Sequence, residues 1–389
     1  EECRFEGAVV GNPPNGGSGD VLCTFADDGL TFEMEGDWAV TRGVASVAIS
    51  PDPIVVPVGQ TVQLSVELLG PGGEQFADRS VVWESSQPNL VDVDERGVVS
   101  GLNPGMATVT ATSVPVYPLE EAVAGEVEAS TRIQFMSVEA GVAHTCGVSF
   151  GGVALCWGWN SDGQVGTGSF GGSELLPRRV DAGLRFQAVS PGYLHTCGVL
   201  EPEGGYCWGS NMGGALGDGS GQSTPTPVPV AGGQGLDEVV AGTYMSCGME
   251  SMGGRYCWGS NDSGQLGIGT VGGPDQPTPV EMSGHPLVFI SVAKSPTGSG
   301  THACGFHMNF FGEPNGHCWG QGVLGELGNG GTEDCGEPEL VLGDLRFLAI
   351  SAGFGHSCGI TQDLEAYCWG YQNSGALGTG VTEPAVQPT

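Results

Sequence analysis

Apolar positions in this chain come in short runs with a period of two, separated by turn residues. Between 44 and 114 the stretches "VASVAIS", "IVVPVGQTVQLSVELL", "SVVWESS", "LVDVDERGVVSGL" and "MATVTATS" alternate apolar with polar residues. Alternation over a few residues puts one face of a strand in a core and the other in water, and a series of such strands predicts a sandwich. Ahead of it, "DDGLTFEMEGDW" alternates in the same way, next to a turn-rich "VVGNPPNGGSGD" flanked by Cys3 and Cys23. Residues 1–43 therefore read as a small β segment tied by a disulfide, since it is too short for its own core. Residues 115–131 read as a linker turning into a strand.

From 132 to 389 the pattern repeats, and a repeat decides the architecture. "FMSVEAG", "FQAVSPG", "LDEVVAG", "FISVAKS" and "FLAISAG" open five units. Each unit continues with an element such as "HTCGV", then "YCWG", then a glycine loop such as "NDSGQLGIG", and ends in a Pro-Val strand such as "TPVEM". Four short strands per unit predict one propeller blade per repeat. The five units read as a closed five-blade ring, with a longer ring as the alternative. "GVTEPAVQPT" at the C-terminus lacks the strand that follows its counterpart in the third repeat, while "EVEASTRIQF" at 126–135 resembles that strand. These two segments are therefore expected to pair and close the ring.

Composition changes this picture in three ways. Glycine (71) and proline (25) are abundant but fall at recurring positions, so they mark turns rather than disorder. A formal net charge of −33 repels phosphate backbones and anionic lipid, which argues against nucleic-acid partners and anionic membrane surfaces; no apolar run is long enough for a membrane helix. Ten of the 13 cysteines fall into one pair per repeat: Cys146 with Cys156, Cys197 with Cys207, Cys247 with Cys257, Cys304 with Cys318, and Cys358 with Cys368. Cys3 and Cys23 make a sixth candidate pair, and Cys335 is left odd. No metal-ligand spacing accompanies them, so they read as disulfides in an oxidising compartment. A start at Glu1 without Met reads as a processed mature chain.

The HxCG…YCWGxNxxGQLGxG signature, present in five copies, resembles the secreted bacterial form of the RCC1 repeat. That resemblance implies a β-propeller, usually of seven blades. "VPVGQTVQLSV" at 56–66 and "VVWESSQPNLVDVDERGVVSGLNPGMATVTATS" at 81–113 resemble the bacterial Ig-like family of group 2, with Trp83 as the expected core aromatic. Such domains usually serve as spacers or stalks at cell surfaces. The fold expected is all-β, an Ig-like sandwich followed by an RCC1-like propeller. The family namesake's roles in activating a small GTPase and binding chromatin are not carried over, because the acidity opposes chromatin.

Several residue sets carry candidate chemistry. His144, His195, His302 and His356 precede the first cysteine of their repeats by two. They read as blade histidines bonded to a neighbouring backbone group, with a metal ring as the alternative; the third repeat has Met245 there. Trp157, Trp208, Trp258, Trp319 and Trp369 read as packing between blades, with sugar stacking as the alternative. Trp159, where other repeats have Ser or Tyr, is the better candidate for an exposed aromatic. The Asn/Asp/Gly loops suit tight turns and lack EF-hand spacing, so no cofactor is expected, Ca2+ being the one ion left open. No GxSxG or HExxH motif is present, and no catalytic residue is assigned.

Three functions fit these features. The first is an extracellular, non-enzymatic adhesion or binding protein whose propeller contacts protein or glycan. The second is a structural subunit of a surface layer or filament, contacting copies of itself through residues 1–43 or Cys335. The third is a propeller hydrolase.

Overall fold

A computed structural model describes residues 43–389 except 78, 117–120, 181–182, 201, 285–286, 298–300, 309–312 and 373–374, the side chain of Phe289 also excepted. It also gives the backbone of Glu2–Glu6, Gly17–Thr24 and Thr31–Trp38, which form a three-stranded antiparallel sheet. The register of that sheet sets Cys3 opposite Cys23. The bridge expected between them lies outside the described residues.

Residues of the sandwich form a four-stranded sheet, in the order Ile54–Pro57, Ala124–Arg132, Gly105–Ser113 and Val81–Ser85, with smaller sheets beside it. Its core is Ile54, Val56, Val91, Val99, Val109, Ala111 and Ala129, all fully buried. Trp83 is only half-buried at the rim of this cluster, so the aromatic expected in the core borders it instead.

Strand Ala124–Arg132 corrects two expectations, a linker at 115–131 and a strand at 126–135 that closes the propeller. It is an inner strand of the sandwich, paired on both sides, and its alternate residues Gly125, Val127 and Ala129 are buried. Two-residue alternation alone cannot tell a sandwich strand from a blade strand, and here the sandwich takes it.

The repeats form five sheets. Blade 1 comprises Phe135–Ala140, His144–Ser149, Ala154–Trp159 and Ser173–Arg179. Blade 2 runs from Ala188 to Pro229, blade 3 from Glu238 to Glu281, and blade 4 from Phe289 to Leu340, each with four antiparallel strands. Blade 5 has three strands, Phe347–Ala352, His356–Thr361 and Ala366–Gly370. Its fourth position is filled by the last residues: Ala385 exchanges backbone hydrogen bonds with Gly370 (2.7 and 3.1 Å), and Thr389 with Cys368 (3.0 and 3.1 Å). This is the place that Glu174 and Arg178 take beside Gly158 and Cys156 in blade 1. The fourth strand of blade 5 is thus supplied by its own repeat.

In every blade the second and third strands place two cysteines directly opposite each other. Antiparallel strands bring facing Cβ atoms close enough for a bridge. All five pairs are bonded: Cys146 to Cys156 in blade 1, Cys197 to Cys207 in blade 2, Cys247 to Cys257 in blade 3, Cys304 to Cys318 in blade 4, and Cys358 to Cys368 in blade 5. The insertion in blade 4 lengthens the separation from ten to 14 residues, yet Cys318 keeps the place that Cys207 and Cys257 hold in their own blades.

Candidate functional site

The blades join through a repeated junction, built from one loop carbonyl. The backbone oxygen of Gln164 in blade 1 accepts the indole N–H of Trp208 (3.0 Å) and the hydroxyl of Thr196 (2.8 Å), both from blade 2. That of Ala215 accepts Trp258 (2.9 Å) and Ser246 (3.0 Å) from blade 3. That of Glu326 accepts Trp369 (2.9 Å) and Ser357 (3.1 Å) from blade 5. A carbonyl has two lone pairs, and both are used.

Histidine completes the junction. His144 Nε2 lies 2.8 Å from Thr196 Oγ1, His195 Nε2 2.8 Å from Ser246 Oγ, and His302 Nε2 2.7 Å from Ser357 Oγ. Each hydroxyl has already given its proton to a carbonyl, so the neutral imidazole donates through Nε2–H. Burial holds His144 down to a pKa of about 3 and His195 to about 4, which keeps both neutral. For these three the ring meets a hydroxyl on the next blade, where the sequence suggested a backbone group; His195 also bonds the Met245 backbone, and His356 Nδ1 lies 3.2 Å from the Phe354 carbonyl, a backbone partner as expected. Between blades 3 and 4 the pair changes type: Met245 replaces histidine, and Ala303 replaces the hydroxyl residue it would meet. Both are buried in one apolar cluster, and the carbonyl of Gln265 keeps the Trp319 indole alone (3.0 Å).

Glycine makes room for the tryptophan. A methyl group on Gly166, Gly217, Gly267 or Gly328 would stand 2.6–2.9 Å from the indole nitrogen of Trp208, Trp258, Trp319 or Trp369, and all four glycines have positive φ of 67–78°. Those four tryptophans are fully buried. They pack blades together, as their locked position in the repeat suggested. The loop asparagines serve the turns: Asn160, Asn211 and Asn261 each accept a backbone N–H five residues on, from Val165, Leu216 and Leu266. Among the described residues no group of three or more acidic, His or Cys side chains is arranged to hold a metal.

The fold likeness matches this construction. A family model for the bacterial Ig-like domain (group 2) covers residues 43–116, and models for the regulator of chromosome condensation (RCC1) repeat cover 137–199, 253–295 and 347–376. The propeller is built of RCC1 repeats. Human WBSCR16 superposes on 92% of the chain and 83% of its own, with TM-score 0.56 at 18% identity. Prp20p of Saccharomyces cerevisiae superposes on 78% of each chain, with TM-score 0.57 at 17% identity. The ultraviolet-B receptor UVR8 of Arabidopsis thaliana is 32% identical over 30% of this chain and 27% of its own length. A 3-O-alpha-D-galactosyl-alpha-L-arabinofuranosidase of Bifidobacterium longum is 34% identical over 22% of this chain but 8% of its own. The chain thus spans under a third of these curated relatives. The likeness to the solved structures establishes the fold.

Two surfaces of this RCC1 propeller lack the cover found elsewhere. The first is the outer face of blade 1. Val138 pairs with Gly147 as Val189, Val239, Ile290 and Ile350 pair with their own glycines. The preceding blade reduces those four to 0–6% exposure, whereas Val138 is 53% exposed. Trp157 is half-buried, and Trp159 is 50% exposed where Ser210 and Ser260 are 6–7%. The second is the far face of blade 5. Ile360 is 47% exposed, against at most 5% for Val148, Val199 and Met249 in the same place. The bridge between Cys358 and Cys368 is half-buried there, while Cys156, Cys207, Cys257 and Cys318 and their partners are fully buried. No cover of the kind seen at the other junctions joins blade 5 to blade 1, so the expected ring closure is absent among the described residues. Its would-be closing strand is used in the sandwich.

The first strands of all five blades line a central cavity of about 470 Å3, bordered by Glu139, Ser190, Glu238, Lys294 and Ser351. Lys294, the single lysine of the chain, bonds Glu139 of blade 1 at 2.6 Å from blade 4. Burial pushes the Glu238 carboxyl up from its ordinary value; Arg255 opposes this and Glu139 adds to it. Cys335, the odd cysteine, begins the fourth strand of blade 4, half-buried, its thiol donating to the Glu337 carbonyl and its pKa raised by burial.

Proposed function

We propose that this chain is a non-catalytic binding protein of the cell exterior, in which the Ig-like domain carries an RCC1 propeller that grips a protein partner through its blade-1 face. The observation behind this reading is the uncovered apolar strip of Val138, Trp157, Trp159 and Leu175, the last 89% exposed. Exposed apolar patches framed by polar surface mark interaction sites, and Trp is favoured at their centres. The five disulfides support an oxidising location. Prp20p, of the same fold, is described with binding properties toward Gsp1p and histones, which supports a protein as the kind of partner.

The test is biolayer interferometry of the full chain against the extracellular protein fraction of the cells that make it, beside their polysaccharide fraction. Binding to the protein fraction that falls at least tenfold in Val138→Asp supports the reading. Saturable binding to polysaccharide that the substitution leaves intact overturns it in favour of a glycan ligand.

A further inference from the structure

The two uncovered faces are the two halves of one junction. On blade 5, a methyl group at Gly378 would meet nothing within 4 Å, although the four equivalent glycines each sit against a tryptophan indole. The carbonyl-bearing residue there, Ala376, is exposed, where Gln164, Ala215, Gln265 and Glu326 are buried. His356 occupies the position of His144, His195 and His302; its ring Nδ1 lies 3.2 Å from the Phe354 carbonyl, and among the described residues no hydroxyl of a further blade meets it. Gly375 also meets nothing, whereas methyl groups at Gly163, Gly214, Gly264 and Gly325 would meet the backbone of the next blade's fourth strand at 2.6–2.9 Å.

Blade 1 carries what is missing. Trp157 and Thr145 stand where Trp208 and Thr196 stand in blade 2, and both are half-buried instead of fully buried. Leu175 holds the place of Pro225 and Pro277, whose carbonyls accept the N–H groups of Gly168 and Gly219 (3.0 and 2.9 Å) in the preceding loops. Gly380 of blade 5 is the counterpart of Gly168 and Gly219.

We propose that blade 5 of one molecule receives blade 1 of a second copy, head to tail, with Trp157 on Gly378, Thr145 between His356 and the Ala376 carbonyl, and Val138 against Ile360. This rests on the blade-1 face being a protein-binding surface and names its partner. The polar set favours this occupant: a His-type face requires a hydroxyl residue, and Thr145 supplies one. Such a contact is heterologous, so it continues from copy to copy until rotation closes a ring or leaves a filament. With a net charge of −33 on each copy, salt strengthens the association by screening.

The test uses the intact chain, Val138→Asp and Ile360→Asp, each by sedimentation velocity from about 1 to 200 µM at about 0.15 and 0.5 M salt. Both substituted positions are exposed, so neither change disturbs a packed junction. The intact chain is expected to gain mass with concentration, more so at high salt. Each variant alone stays at 39.7 kDa, and an equimolar mixture forms a one-to-one complex that grows no further, since each variant lends its intact face to the other. An intact chain that stays monomeric at 200 µM and high salt overturns the proposal, as does self-association persisting in either single variant. A monomer that Val138→Asp and Ile360→Asp each destabilise overturns it in favour of closure within one chain. If the chain is monomeric yet Val138→Asp still abolishes binding to the extracellular protein fraction, the copy is the wrong partner and the binding face remains.

Discussion

Replacing Glu326 with Gln should stabilise the protein at high pH and leave it unchanged at low pH. Glu326 is fully buried at the junction of blades 4 and 5, where its own carbonyl holds Trp369 and Ser357. One carboxylate oxygen accepts the Leu324 N–H at 2.6 Å, while the other has no partner among the described residues. Burial raises its pKa from 4.5 to about 7, with a smaller push from Asp334. The equivalent residues in blades 1 and 3 are Gln164 and Gln265, whose side-chain oxygens accept the same N–H two residues earlier, both at 2.9 Å. Gln therefore fits the site in the same pose. A folded pKa above the unfolded one means that the native state holds the proton more tightly. Stability is fully present below pH 4.5 and is lost as pH rises through about 7. Each pKa unit is worth about 1.4 kcal/mol, so the loss has a ceiling of about 3 kcal/mol, and local relaxation and water entry reduce it to about 1–2. Guanidinium unfolding followed by tryptophan fluorescence at pH 4, 6 and 8 reads it directly. The variant should match the parent at pH 4 and exceed it by about 1–2 kcal/mol at pH 8. A gap that does not change with pH, or a variant weaker at pH 8, refutes the reasoning.

Acid acts through the buried histidines with the opposite sign. His195 has a folded pKa of about 4 against 6.5 unfolded, so its contribution is complete above 6.5 and drains away as pH falls toward 4. His195→Met, which copies Met245, should flatten this acid loss, seen as a smaller drop in Tm between pH 7 and 4.5; an unchanged drop would place the acid sensitivity elsewhere. Met245→His alone puts an imidazole against Ala303 with no hydroxyl to bond and should cost about 1–3 kcal/mol; adding Ala303→Ser should recover most of it in a double-mutant cycle. Removing the blade-3 bridge, by Cys247→Ala together with Cys257→Ala, should lower stability by about 2–3 kcal/mol plus the cavity term, measured by urea unfolding under non-reducing conditions, with equal stability counting against a bridging role.

The sequence carried the blades well and their seams poorly. "HTCGV" and "YCWG" read as a hairpin because cysteines ten residues apart stand opposite each other in antiparallel register. Cys304 and Cys318 could be paired across a longer insertion because the motifs around them, not their spacing, fix the register. The tryptophans read as packing because a residue locked to the repeat serves the repeat. What the residues did not give was the far partner. Thr196 and Ser246 look like ordinary strand residues until the fold sets them beside His144 and His195, about 50 positions upstream. Met245 stands out in the sequence as a departure from the consensus, but nothing local says that it meets Ala303 of the next blade. Strand Ala124–Arg132 departs from the sequence expectation because alternation reports a half-buried strand and is silent about which sheet buries it.

The exchange of His/Ser for Met/Ala bears on how five similar blades keep their order. The Cys pairs, the glycine slots and the tryptophans are common to the blades, so apolar packing alone would let any blade accept any other. The buried polar pair discriminates. A histidine face set against Ala303 would leave an imidazole N–H unpaired in a dry junction, a penalty of about 1–3 kcal/mol. A Met245 face set against Thr196 costs less, because the carbonyl of that face, Gln265, holds only an indole in its own junction and has a lone pair left for the hydroxyl. The 3–4 seam is therefore apolar on both sides, and a histidine face is penalised there. Specificity of this kind comes from making the wrong pairing costly. By the same rule His356 rejects an alanine-bearing blade and admits one with a hydroxyl, and Thr145 is such a residue.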